Sequence, residues 1–190
     1  MNETILACHS LPQQFCTTEG TMKEMIERAR AGDGEAFVRL MEAHKQSLYK
    51  IARSFFTCEM DAEDAVAQTV LDCWEKLDTL QKPQYFRTWL TRILINNCND
   101  IIRRRDKTVT MDELPERVGD EDASGDIVFH DLMAALSPPL RPVMELYYGE
   151  GFKAREIAAM LHIPLGTVTT RLRRGRQQLA ALMEKGETIS

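Results

Sequence analysis

The sequence predicts an all-α protein: two small helical domains joined by an acidic linker, the C-terminal one a helix-turn-helix. Three observations carry that prediction. Apolar residues recur at steps of three and four through most of the chain, the spacing of one helix face. No stretch shows the apolar–polar alternation of a half-buried strand. Residues 106–125, with Pro115, Gly119 and Gly125, break the periodicity and divide the chain in two.

Residues 1–21 show no clear period and are expected to form a flexible arm. The first domain is expected over 22–107. Its first helix opens near Glu35, where Phe37, Leu40, Met41, His44, Leu48, Ile51, Ala52 and Phe55 fall on one face, with Asp33 placed to cap it. A second helix is expected from Ala62 to Leu77, with Ala62, Val66, Val70, Cys73, Trp74 and Leu77 as its apolar stripe. Asp61 is the expected N-cap, and Asp64 sits in the first turn, where acids suit the helix dipole. A third helix is expected from Pro83 to about Arg105, because a proline costs no hydrogen bond at a helix start. Phe86, Trp89, Leu90, Ile93, Leu94, Asn97, Ile101 and Ile102 would face inward.

The linker is expected over 108–125 and the second domain over 126–186. Periodicity resumes with Ile127, Val128, Leu132, Ala135 and Leu136, and Ser137-Pro138-Pro139 ends that helix. A further helix carries Val143, Met144, Leu146 and Tyr147 and stops at Gly149-Glu150-Gly151. A short helix (153–161), a tight turn (162–165) and a longer helix (166–183) complete the chain. Ile157, Ala158, Leu161, Ile163, Val168 and Leu172 stand where two crossing helices pack, and His162 occupies the turn position that favours positive φ.

The 190 residues suffice for two such domains and leave no room for a third. No run approaches the ~18–20 apolar residues of a membrane helix. The first twenty residues lack the basic start and apolar core of a secretory signal, so a cytoplasmic protein is expected. The five cysteines are an odd number without a C-x-x-C pair, which reads as reduced thiols. Cys8, His9 and Cys16 lack the spacing and second pair of a zinc site. There is no phosphate loop, no metal constellation and no paired nucleophile and base. Neither catalysis, nor a cofactor, nor a small-molecule substrate is expected.

The formal net charge is −5, which by itself argues against a nucleic-acid partner. The charge is segregated, however. Segment 59–78 sets seven acids against Lys76, and segment 112–131 sets eight acids against Arg117. Segment 84–107 sets six bases against Asp100 and Asp106, and segment 166–183 has four arginines and no acid. Two basic helices inside an acidic chain read as local footprints for phosphates.

On the last helix, Thr169, Thr170, Arg173 and Arg174 share a face suited to the major groove, where arginine reads guanine edges and threonine meets thymine methyls or phosphates. Arg171 and Arg176 extend the basic surface. Thr167, with Lys153 and Arg155 on the preceding helix, could hold phosphates and set register. On the third helix Arg92, Asn96, Asn99, Asp100 and Arg103 share one polar face, and Arg104 adjoins it. An amide there can satisfy a donor and an acceptor on an exposed base edge while arginines hold the backbone.

Three stretches together resemble bacterial sigma factors of the extracytoplasmic-function (ECF) group, group IV of the sigma-70 family. They are Asp61-Ala-Glu-Asp-Ala-Val-Ala-Gln-Thr-Val-Leu-Asp-Cys-Trp74, Phe86 to Arg105, and the helix-turn-helix with the preceding Leu136-Ser-Pro-Pro-Leu-Arg-Pro-Val-Met-Glu-Leu-Tyr-Tyr. The resemblance covers residues 22–185. It implies that the 61–74 helix docks on the β′ clamp of core RNA polymerase, with Asp61, Asp64, Gln68 and Asp72 as exposed contacts and Val66, Val70 and Trp74 in the core. The family's usual Gln-acid pair is Ala67-Gln68 here, which implies a contact altered in detail. The 84–105 helix would recognise and open the promoter −10 element, with Asn96 at the place of the family's base-holding Asn. The helix-turn-helix would read −35 duplex, and the β flap is a further implied polymerase contact. The linker would thread toward the polymerase active centre, its acidity suiting either a nucleic-acid mimic or a solvated tether. Many members are restrained by an anti-sigma factor, often membrane-anchored, and such a partner is expected. The competing reading, a one-component helix-turn-helix regulator, would need no second basic helix and no polymerase partner.

Overall fold

The structure, a computed structural model, describes residues 19–108, 133 and 135–187. Among them every regular element is helical. The expected arm and the acidic linker lie outside the described residues apart from their edges, as does most of the helix expected over 127–136.

The chain is helical earlier than its periodicity predicts. Helix α1 (Glu19–Arg30) buries Ile26 and Ala29 against α2 (Gly34–Glu42). Asp33 links the two. One carboxylate oxygen accepts from the Ala36 backbone N–H at 3.0 Å, as an N-cap does, and the other accepts from Arg28 Nη2 at 2.7 Å. The Ala36 hydrogen bond and then Arg28 hold this carboxyl below its ordinary range.

The single helix expected over 35–55 is two, α2 and α3 (Lys45–Phe55), broken at His44. In an unbroken helix the Leu40 carbonyl would accept from the His44 backbone N–H. Here that N–H turns to Met41 O at 2.9 Å, and the His44 ring takes its place, Nδ1 donating to Leu40 O at 2.9 Å. The ring is buried edge-on against Phe86, with centroids 5.3 Å apart.

Helix α4 (Glu59–Lys76) has Cys58 at its N-cap position rather than Asp61, which lies in its first turn. Its buried face is Asp61, Ala62, Ala65, Thr69 and Cys73, mostly small residues that let a neighbour come close. That neighbour is α5 (Phe86–Thr108), entered through a 3₁₀ turn beginning at Pro83, the helix-start position expected of it. Contacts between Asp61 and Arg105, and between Asp72 and Asn97, show that α4 and α5 run antiparallel. Phe86, Leu90, Leu94, Ile95 and Cys98 of α5 fill the core. Burial pushes the Cys73 and Cys98 thiols up to about 12, so both stay protonated.

In the C-terminal half, helix α6 (Arg141–Met144) widens into a π turn over Glu145–Gly149. Helices α7 (Ala154–Leu161) and α8 (Leu165–Glu187) form the helix-turn-helix. Gly175 lets α8 lie close on α6: a Cβ there would stand 2.5 Å from Met144 Sδ. The halves share a continuous core, and one ionic cluster marks their boundary. Glu150 accepts from Ser47 Oγ at 2.6 Å and Arg87 Nη2 at 2.7 Å, and the Arg87 guanidinium lies 4.5 Å from the Phe152 ring centroid.

The turn between α7 and α8 follows the sequence expectation. His162 is left-handed, with φ 53°, and is the one non-glycine of positive φ among the described residues. A left-handed L-residue costs ~1–2 kcal/mol that glycine avoids, less the glycine entropy term of roughly 0.5–1 kcal/mol. His162→Gly is therefore expected to raise stability by about 0.5–1 kcal/mol in urea denaturation. An unchanged or lower midpoint would refute this account of the turn.

Candidate nucleic-acid interface

The second helix of the helix-turn-helix packs by a narrow face and leaves Thr169, expected on its outward face, at the edge of that face. Val168, Leu172 and Gly175 of α8 face inward, with Leu179 packed behind them. At roughly 100° per residue, Thr170, Arg173, Arg174 and Gln177 lie opposite that face. Arg173 and Arg174 are exposed, as are Lys153, at the N-cap of α7, and Arg155 within it, while Thr167, Thr170 and Arg171 are half-buried. Thr169 and Arg176 flank the outward stripe. Thr169 Oγ1 donates to Gly166 O at 3.0 Å, and Arg176 Nη1 comes within 3.5 Å of the Tyr148 hydroxyl.

Packing sets the attitude of this helix. Gln178 Nε2 donates to Ser137 Oγ at 2.9 Å, and Gln178 Oε1 accepts from the Ser137 N–H at 3.2 Å. Thr167, Thr170, Arg171 and Arg174 line, with Ser137, Pro139 and Leu140, a groove of about 830 Å³. At the N-terminus of α7, Glu156 accepts from the Lys153 backbone N–H at 2.8 Å, which settles the chain just ahead of the motif.

On α5 the polar stripe is equally distinct. Arg92, Asn96 and Arg103 are exposed, and Asn99 and Asp100 half-exposed, along one side of the helix, opposite the buried Leu90, Leu94 and Cys98. Arg103 bridges Asp100 at 2.5 Å and donates to Asn99 O at 3.3 Å, so its guanidinium is already oriented along the stripe. Arg104 is exposed beside it. No group of three or more potential metal ligands occurs among the described residues.

The structure corrects three expectations on α4, for Asp61, Trp74 and Asp72. Asp61 is 5% exposed, not a surface contact, because it pairs with Arg105 of α5. Desolvation pushes its carboxyl up, against the pull of Arg105. Trp74, expected in the core, is 45% exposed, with its ring edge-on to Phe37 at 4.8 Å. Val66 and Val70 are half-buried against the core.

Asp64 and Gln68 are exposed, whereas Asp72 is half-buried between the helices. Its desolvation is outweighed by hydrogen bonds from Gln68, Lys76 and Asn97, which hold its carboxyl low. The outer side of α4 therefore reads Met60, Asp64, Gln68, Leu71, Trp74 and Glu75, with three large apolar groups facing solvent. Periodicity misses Met60 and Leu71. The signal that could have found them is the helix's own pattern of small residues on the opposite face.

Comparison with known proteins adds names to this geometry. Family models match the chain twice: Sigma-70 region 2 over residues 40–108 and Sigma-70, region 4 over residues 127–179. The ECF RNA polymerase sigma factor SigE of Mycolicibacterium smegmatis is 35% identical over 158 residues, covering 77% of this chain and 61% of that protein. The chain thus spans less than two thirds of that relative's length. The ECF RNA polymerase sigma factor SigW of Bacillus subtilis is 26% identical over 179 residues, covering 85% of this chain and 96% of that protein. The solved structure of CnrH in complex with the cytosolic domain of CnrY is similar at TM-score 0.61 and 27% identity, covering 87% of this chain and 98% of that one.

Proposed function

The chain belongs to the extracytoplasmic-function sigma factors of the sigma-70 family, and from that premise we propose how its surfaces divide the work of starting transcription. It joins core RNA polymerase, directs it to specific promoters and promotes initiation. The outer side of α4, with Asp64, Gln68, Leu71 and Trp74, docks on the polymerase clamp. The exposed stripe of α5, Arg92, Asn96, Asn99, Asp100 and Arg103 with Arg104 beside it, meets the −10 element and holds it melted. Asn96 takes a base turned out of the stack, and the energy of holding that base offsets the few kcal/mol that unstacking costs. The outward face of α8 reads −35 duplex through Arg173, Arg174 and Thr170, while Lys153, Arg155, Thr167, Thr169, Arg171 and Arg176 hold phosphates and register.

The observation that carries this reading is the pairing, in one chain, of two separate exposed basic helices with a third helix whose outer side is apolar and acidic. A one-component regulator would use α8 alone. The protein performs no catalysis of its own and works in the cytoplasm, where polymerase and promoter are found. CnrH is solved in complex with the cytosolic domain of CnrY, and for this chain a protein partner, an anti-sigma factor, is proposed. The first domain runs from α1 to the end of α5, and the second is the region ending in α8.

The test is transcription in vitro: purified chain plus core polymerase on a randomised duplex library, with start sites mapped. Initiation at a shared bipartite motif, absent with core polymerase alone, is expected. Failure to bind core polymerase without DNA would sink the assignment.

A further inference from the structure

Asn97 is 9% exposed, a buried polar side chain of α5 in the contact with α4. Its Nδ2 donates to Thr69 Oγ1 at 3.1 Å and to Asp72 Oδ2 at 3.3 Å, both on α4. Thr69 is free to accept because its own hydroxyl proton goes to Ala65 O at 2.6 Å. Asp72 is held in turn by Gln68 Nε2 at 2.9 Å and Lys76 Nζ at 3.1 Å. At the far end of the same antiparallel pair, Asp61 holds Arg105. The two ties sit at different heights of one interface. Apolar ridges between helices tolerate small rotations and slips, whereas directional hydrogen bonds do not.

Asn97 is the immediate neighbour of Asn96. At ~100° per residue, a helix whose Asn97 is fixed on α4 has Asn96 aimed at a single direction on its exposed side. We infer that Asn97, held by Thr69 and Asp72 and seconded by the Asp61–Arg105 pair, is a positioning residue for promoter opening. It locks the rotation and register of α5 on α4, so that Asn96 is presented correctly while α4 is docked. This rests on the reading of α4 as the polymerase-facing helix and α5 as the −10 helix. Asn97 itself touches neither partner.

The experiment uses holoenzyme assembled from the full chain and core polymerase, on a promoter selected by the wild-type holoenzyme from a randomised duplex library. Two quantities are read: affinity for core polymerase, and open-complex formation by permanganate reactivity of −10 thymines. The variants are Asn96→Ala, Asn97→Leu, their double, and Thr69→Val, which removes one of the two acceptors of Asn97 at nearly constant volume. Asn97→Leu is expected to keep core affinity within about threefold and to lose roughly tenfold in opening, with Thr69→Val losing less in the same direction. In the double variant the loss should be close to that of Asn96→Ala alone, because one residue acts through the other.

Losses that multiply in the double, opening that is unchanged in both Asn97→Leu and Thr69→Val, or a loss that merely follows core affinity and melting temperature would overturn the inference. A wild-type holoenzyme that opens no promoter, or an Asn96→Ala variant that opens normally, would instead overturn the underlying reading and the inference with it. The controls tell the two failures apart.

Discussion

Replacing Arg173 and Arg174 together by alanine is expected to weaken binding of the holoenzyme to −35 duplex by about 2–6 kcal/mol, each bidentate arginine–base contact being worth ~1–3 kcal/mol. Both side chains are exposed and lie across α8 from the buried Val168 and Leu172, so truncation leaves the fold intact. The expected pattern is a steep loss on the selected −35 sequence, a smaller loss on unrelated duplex and unchanged affinity for core polymerase. Lys153→Ala, by contrast, should lower binding evenly across sequences and reduce the salt slope by about one. Anisotropy titrations on selected and scrambled duplexes at two salt concentrations measure both effects. Equal binding of wild type and double variant to the selected duplex would remove the −35 role from this face.

The helix-turn-helix was legible because its rules are local. A turn residue that tolerates positive φ, a proline after it and apolar residues three and four apart need no knowledge of the rest of the chain, and His162 adopts the conformation expected of it. The cap at Asp33 was legible for the same reason. Helix α1 was not, because its buried residues, Ile26 and Ala29, form a narrow stripe that acquires meaning only against α2. Nor was the break at His44, since Leu40, Met41, His44 and Leu48 keep a helical spacing straight through it. What breaks the helix is a side chain capturing a backbone carbonyl.

The error on α4 is more instructive. Following the largest apolar residues puts Trp74 inside and Asp61 outside, the reverse of what is found. The close approach of α5 selects small residues for the inner face, and a buried acid is acceptable there once Arg105 meets it. Large apolar residues left on the outer face are then surplus to the fold. The acids exposed on α4, Glu59, Glu63, Asp64 and Glu75, also account for much of the segregation behind the net charge of −5, setting the helix proposed to face polymerase electrostatically apart from the two helices proposed to meet DNA.

That surplus leads to the second large effect. A central aromatic in a protein interface commonly costs 2 kcal/mol or more on truncation, so Trp74→Ala is expected to weaken core polymerase binding by about thirtyfold or more. Trp74 also touches Phe37, and part of any loss could reflect folding. Leu71→Asp separates the two: Leu71 is 60% exposed, so an acid there should leave thermal stability nearly unchanged. Placed in a desolvated contact, however, the same acid carries an unpaired charge and should weaken docking at least as much as the loss of Trp74 does. Both variants should still bind −35 duplex as isolated chains to the same extent as wild type, because α8 is untouched. If Leu71→Asp assembles with core polymerase at wild-type affinity, the outer side of α4 is not the docking surface. If it fails to assemble while its melting temperature holds, the apolar groups that the fold leaves in water are there for the polymerase.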